Sequence, residues 1–171
     1  MQRTKWIERK FTFNLSENEL AKVLEKLNAT ISNLKQLVSS LSDSQLKKKV
    51  DTKWSIQEHI GHLGDLEELH EGRIDDFINR KEILRAADMS NAKTNFANHN
   101  QASIQDLINN FTKKRDNFIS RLSKLDVETQ KFKSLHPRLQ IMMRPIDMAF
   151  FTAEHDDHHL TTIREILKTI N

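Results

Sequence analysis

Apolar residues recur at intervals of three and four along four stretches of the chain, and most of these stretches open with a helix-start signal. Ser16 followed by Glu19 has the spacing of a capping box, in which each side chain satisfies a backbone N–H that the helix start leaves unpaired. Behind it Leu20, Val23, Leu24, Leu27, Ile31, Leu34, Val38 and Leu41 form one stripe, which predicts a helix over about 16–41. A second capping box, Ser55 and Glu58 after Trp54, precedes Ile56, Ile60, Leu63, Leu66, Leu69, Ile74, Phe77 and Ile78. Gly61 and Gly64 inside that helix each weaken it by about 1 kcal/mol relative to alanine, which implies a packing reason such as the close approach of a neighbour.

Periodicity lapses over about 81–102, where DMSNAKTNFANHNQ is rich in Asn and short of large apolar groups. This reads as a long connection across one end of the fold. A third helix starts near Ser103, with Asp106 in its first turn, and carries Leu107, Ile108, Phe111, Phe118, Ile119, Leu122 and Leu125. Pro137 and Pro145 bracket an irregular piece containing HPRLQ. The fourth helix takes Pro145 in its first turn, where the missing N–H is harmless, and Asp147 near the positive end of the helix dipole, and persists to about Ile170. No stretch alternates with period two for long enough to predict a strand. The expected fold is all-α: a four-helix bundle with one long connection between its second and third helices.

Composition narrows the picture. A chain of 171 residues with 3 Gly and 2 Pro suits a single helical domain spanning 1–171, with one core. The 27 basic and 24 acidic side chains are interspersed, and a net charge of +3 gives no basic stripe for nucleic acid. The run Lys47 to Lys49 reads as a solvated turn. With no cysteine, disulfides, thiolate nucleophiles and cysteine zinc sites are excluded, so any metal must be held by nitrogen and oxygen. The N-terminal segment lacks the apolar core of a signal peptide, and no apolar run approaches a membrane span; a soluble, cytoplasmic protein is expected.

Eight histidines are the chemistry that stands out. His155 and His159 are spaced i, i+4 in HDDHHL, which puts two imidazoles on one face of the fourth helix within reach of one ion. Stepping about 100° per residue, His159 falls at the edge of the apolar stripe and His155 about 40° further round, whereas His158 is expected to point nearly opposite, toward water. On the second helix His59 and His70 project near the middle of the stripe and His62 at its edge, and spacing does not choose among them. Asp65 and Asp156 are candidates to orient ligating rings. His99 in the connection and His136 beside Pro137 are candidates to roof the site, or simply turn formers.

The segment KWSIQEHIGHLGDLEELHEGRIDDF resembles the second helix of the DinB-like superfamily, with its Trp-Ser start and His-Leu-x-Asp centre, and RPIDMAFFTAEHDDHHLTTIREIL resembles the fourth, with its His-x-x-x-His. WIERKF, NHN and HPRL extend the likeness over nearly the whole chain. The resemblance implies a metal-binding four-helix bundle in which a histidine triad, His62, His155 and His159, holds one divalent ion, most often zinc or nickel. It also implies a homodimer, and Phe150 beside Phe151 fits an interface, since two adjacent rings are not expected to face one core.

Three histidine ligands leave a position open for water or substrate, as catalytic sites do. By the resemblance, the first expectation is a transferase acting on a small-molecule substrate with a low-molecular-weight thiol such as mycothiol or bacillithiol. A metal-dependent hydrolase using Glu154 or Asp65 to move the proton is the second. The third is a non-enzymatic metal-binding or stress-response protein whose ion ties the second helix to the fourth.

Overall fold

The structure is a computed structural model in which residues 4–170 are described. Its elements in chain order are α1 (Leu20–Val38), α2 (Asp43–Lys47), α3 (Ile56–Ile78), α4 (Ala92–Phe96), α5 (Ile104–Ser123), α6 (Val127–Lys131), β1 (Ser134–His136), β2 (Ile141–Met143) and α7 (Pro145–Ile170). The four long helices α1, α3, α5 and α7 form the bundle. Both α1 and α3 pack against α5 and α7, so α1 and α3 sit diagonally across the bundle. The long connection between α3 and α5 is what allows that arrangement.

Local chemistry sets the ends. At Ser55 the capping box closes as its spacing predicts: Ser55 Oγ accepts from Glu58 N at 3.1 Å, and Ser55 N donates to Glu58 Oε2 at 2.8 Å. Ser16 N donates to Glu19 Oε2 at 2.7 Å, although the first turn there is a 3-10 helix, Glu17–Glu19, before α1 begins. The predicted connection over 81–102 carries α4 and a 3-10 turn, His99–Gln101. The irregular piece before α7 contains a short antiparallel hairpin, β1 with β2, paired Ser134 with Met143 and His136 with Ile141. Three-residue strands are too brief for alternation to announce them.

The core has two apolar clusters separated by a polar layer. Val23, Leu27, Ile74, Phe77, Phe118, Leu122, Met148 and Ala153 belong to one cluster; Leu34, Ile60, Leu63, Phe111, Leu160 and Ile163 belong to the other. Between them each long helix contributes one polar residue: Thr30, Glu67, Arg115 and Asp156, all buried. Arg115 donates through Nε to Glu67 Oε2 at 3.1 Å and through Nη2 to Glu67 Oε1 at 2.6 Å and Asp156 Oδ1 at 3.2 Å. Its Nη1 also binds Asp156 Oδ2, and Thr30 Oγ1 donates to that same oxygen at 3.0 Å. Burial opposes the Arg115 charge, but the Asp156 and Glu67 carboxylates reverse the effect and hold its pKa above the ordinary arginine value. Burial likewise opposes the Glu67 carboxylate, and Arg115 with His70 pulls it down to about 2.

One expectation changes at the N-terminus. Phe151 is buried and Phe150 half-buried, with Phe13 against both rings and Trp6 and Phe11 against Phe151. The pair therefore supplies no exposed patch from which to argue a dimer. No helix among the described residues is long and apolar enough to cross a membrane.

Removing Arg115 alone strands two buried carboxylates. Arg115→Met should cost about 3–5 kcal/mol in urea unfolding followed by circular dichroism, whereas Arg115→Met with Glu67→Leu and Asp156→Leu should recover most of that loss. A single variant that unfolds at the wild-type urea concentration would show that the layer does not carry this weight.

Candidate metal centre

Helix periodicity places His62, Leu66, Leu69 and Arg73 along one wall of a cavity of about 570 Å³. The facing wall comes from α7, with Phe151, His155 and His159, and the N-terminal 3-10 turn Trp6–Glu8 and the hairpin close the sides. The two helices run antiparallel: His62 near the start of α3 meets His159 in the second half of α7, and Phe77 near the end of α3 clusters with Met148 near the start of α7.

At one end of this cavity His62, His155 and His159 bring one ligand atom each to within 4.8 Å of one another. His155 Nε2 lies 3.2 Å from His159 Nε2. The opposite ring nitrogens are held by the protein. Thr94 Oγ1 donates to Asp65 Oδ2 at 2.9 Å, so it accepts from His62 Nδ1–H at 3.0 Å. That fixes the His62 proton on Nδ1 and leaves Nε2 with a free lone pair. His159 Nδ1 lies 2.9 Å from His59 Nδ1, and the tautomer donating there likewise frees Nε2. This is the pattern by which ligating imidazoles are oriented, one nitrogen tied and the other open. His155 Nδ1 is buried without a partner.

Electrostatics keeps these rings neutral, as ligands must be. Burial, then the neighbouring His59, pushes His62 down to about 3, and burial with His158 lowers His59 to about 4. Burial followed by the other imidazoles holds His155 and His159 well below the usual histidine value. Three neutral nitrogen donors with an open side fit zinc, nickel or a related divalent ion.

The other candidates fall into separate places. His59 supports His159. His70 bonds to Glu67 Oε1 at 3.1 Å, at the edge of the polar layer. His99 is packed under Gly61, where an added Cβ would lie 2.3 Å from its ring, and its Nε2 donates to Asp65 Oδ2 at 2.8 Å. The close approach at Gly61 is thus to a ring of the connection, not to another long helix. Asp65 orients His62 through Thr94, whereas Asp156 bonds to Arg115 and Thr30. His136 lines the cavity against Phe151, with ring centroids 5.3 Å apart, and Glu154 faces Lys26 at 3.8 Å outside it.

His158 is a correction. It does not point to water: its ring lies 5.1 Å from that of His159 and 5.6 Å from Trp6, and it lines the cavity. The helical wheel ignored the N-terminal segment, whose Trp6 covers that side of α7. Sequence reading also missed Thr94, Arg115, Trp6 and Arg73. Of these, only Arg115 left a signal, an empty place in the apolar stripe of α5 between Phe111 and Phe118.

The fold and the histidine cluster define a four-helix-bundle protein with a candidate metal centre. The sequence model of the DinB superfamily matches residues 26–163, and the chain belongs to that superfamily. Among solved structures, YfiT from Bacillus subtilis, described as a probable metal-dependent hydrolase with an unusual four-helix bundle topology, is similar with a TM-score of 0.76 and 20% identity, over 94% of this chain and 93% of that one. A mycothiol-dependent maleylpyruvate isomerase is similar with a TM-score of 0.66 and 9% identity, over 83% of this chain and 59% of that one. Comparison with curated proteins gave no significant match.

Replacing any of His62, His155 or His159 by alanine should abolish tight zinc or nickel binding in competition titrations, whereas His158→Ala should retain it. Thr94→Val, which unties His62, should weaken binding by about tenfold or more. Equal loss at all four histidines would break the assignment.

The metal-free protein should also lose stability in acid. His59 and His62, held at about 4 and 3 when folded, titrate near 6.5 when unfolded, so the unfolded chain takes up protons first as pH falls. Their contribution is complete above pH 6.5 and is lost as pH falls toward 4, by roughly 2 kcal/mol per ring at pH 5. Urea midpoints measured in chelator at pH 7 and pH 5 should differ accordingly; identical midpoints would contradict burial of neutral rings.

Proposed function

We propose that this protein is a divalent-metal-dependent S-transferase, with His62, His155 and His159 as the ligands and a low-molecular-weight thiol as the co-substrate. A bound divalent ion would supply a Lewis acid that favours the thiolate over the thiol at neutral pH. The chain's own residues do the rest. The tied nitrogens of His62 and His159 keep their lone pairs aimed at one point, Trp54 packs 4.7 Å from the His62 ring, and the apolar wall of Leu66 and Leu69 shields the reacting end from water. In the reaction the thiolate sulfur forms a bond to an electrophilic carbon of the small-molecule substrate, the leaving group departs with the electron pair, and the thiol proton passes to solvent.

The observation that carries this reading over hydrolysis is the acid inventory of the cavity. The only carboxylate among the described residues lining it is Asp88, whose oxygens accept from Ser90 N, Ser90 Oγ and Ala92 N at 2.6–2.9 Å. Asp65 is engaged by Thr94 and His99. The carboxylates expected to move a hydrolytic proton, Glu154 and Asp65, are therefore not free in the cavity, whereas a thiol, with a pKa near 8.5, ionises more readily than water. The mycothiol dependence of the isomerase with this fold supports the same choice. Hydrolysis remains the second reading, favoured by the description of YfiT, which this chain matches over nearly its full length.

The non-enzymatic reading needs the ion to join α3 to α7, yet the Arg115 ion pairs with Glu67 and Asp156 already join them. Zinc- or nickel-loaded protein given bacillithiol or mycothiol and chlorodinitrobenzene should form the thioether at a rate that is lost on chelation, restored by metal and absent in His62→Ala. Metal-dependent cleavage of a nitrophenyl ester with no thioether formation would select the hydrolase instead.

A further inference from the structure

The cavity changes chemistry along its length. Arg73 lies eleven residues after His62, three helical turns and about 16 Å along the axis on the same face. Its side chain lines the same cavity as the histidines. Arg73 is 3% exposed, yet among the described residues no carboxylate stands within salt-bridge distance of it. The nearby acid, Asp76, is occupied by Arg85, which donates to it through N at 2.8 Å, Nε at 3.0 Å and Nη2 at 2.9 Å. Gly72 makes room for that guanidinium, since a Cβ there would lie 2.0 Å from Arg85 Nη1. Among the described residues, Arg73 donates one hydrogen bond, from Nε to the Arg85 carbonyl at 3.2 Å.

Two more basic side chains line the same end. Arg138, half-buried, sits 5.7 Å above the Phe151 ring. His136, 2% exposed, accepts from Leu139 N through Nδ1 at 3.2 Å, so its proton is on Nε2, a buried donor without an acceptor among the described residues. The three groups are close enough to oppose one another's charge. Burial, then Arg73 and Arg138, lowers His136 to about 4, while burial lowers Arg73 to about 10 against the opposing pull of Asp76, and burial also lowers Arg138. Arg73 shares its nearby acid, Asp76, with Arg85, so two guanidiniums face one carboxylate, and a buried N–H lacking an acceptor is unfavourable as well; one oxyanion would relieve both.

We propose that Arg73, Arg138 and His136 form an oxyanion subsite that takes a carboxylate or phosphate at one end of the ligand while the other end lies at the His62, His155 and His159 centre. The ligand class is an elongated anion with an apolar middle, matched by Leu66 and Leu69, which lie between His62 and Arg73 on α3. This subsite rests on the reading that the histidine end is the reacting end, and it concerns a different part of the cavity. The two arginines supply forked donors suited to either oxyanion.

The test compares octanohydroxamic acid with suberic acid monohydroxamate and with the matching phosphonate-ended hydroxamate, titrated against cobalt-loaded protein. The hydroxamate group ligates the metal in all three, so the anionic tail is the only variable. At least one anionic tail should bind tenfold or more tightly than the plain chain, and the better of the two identifies carboxylate or phosphate. Arg73→Met and Arg138→Met should each erase that advantage while leaving octanohydroxamate affinity and cobalt uptake unchanged. Equal affinity of all three probes for the wild type, or an advantage surviving in both variants, overturns the proposal. Cobalt uptake by itself reports on the metal reading. If it fails, octanoate against octanamide, followed by tryptophan fluorescence of the metal-free protein, reads the subsite directly: preference for octanoate, lost in Arg138→Met, supports it, and no preference sinks it.

Discussion

A single buried guanidinium sets the geometry on which the rest of the molecule depends. Arg115, from α5, binds a carboxylate of α3 and a carboxylate of α7 and lies 3.4 Å from the Leu27 carbonyl of α1. Attraction between charges in a poorly screened interior is strong, and it is directional when every oxygen and N–H has a place. Apolar clusters on either side tolerate sliding by a turn, because one leucine replaces another at small loss. The ion-paired layer does not, since a shift leaves charges buried alone. It therefore selects one axial register for all four helices.

That register is what assembles the histidines. Glu67 follows His62 by five residues on α3, and Asp156 is the immediate neighbour of His155 on α7, so locking the two acids to Arg115 brings the triad together from two helices. Thr94 and His59 then set the rotation of the rings. Polar order thus radiates outward from one cation: ion pairs fix the backbones, hydrogen bonds fix the imidazoles, and the neutral imidazoles leave lone pairs for a cation that the protein itself does not provide.

The cavity carries opposite demands at its two ends. Neutral, electron-rich nitrogens at one end suit a metal cation, while Arg73 and Arg138 line the same cavity beyond the apolar side chains of Leu66 and Leu69. The fold is shared with YfiT over nearly the whole chain at 20% identity, which leaves the cavity lining free to differ between the two proteins. Fold accordingly speaks to the architecture, and the side chains facing the cavity speak to what enters it.

The four long helices were legible in the sequence because their causes are local: capping boxes, a threes-and-fours stripe, and Pro145 at a helix start. His155 and His159 were legible as a pair because their spacing lies within one helix. The choice of His62 over His59 and His70 came from resemblance, since one helix face bears all three histidines and periodicity has no knowledge of what α7 presents. Long-range partnerships were not legible. Asp156 read as a candidate to orient a ligating ring, whereas its partner, Arg115, lies 41 residues away in an unexplained gap of another stripe. His158 was misplaced because a helical wheel contains no Trp6, and Thr94 met His62, and Arg138 the cavity that Arg73 lines, only when a connection and a hairpin folded over α3. Periodicity decides which face of a helix is buried; the tertiary structure alone decides what that face meets, because packing, not spacing, brings distant charges within hydrogen-bonding range.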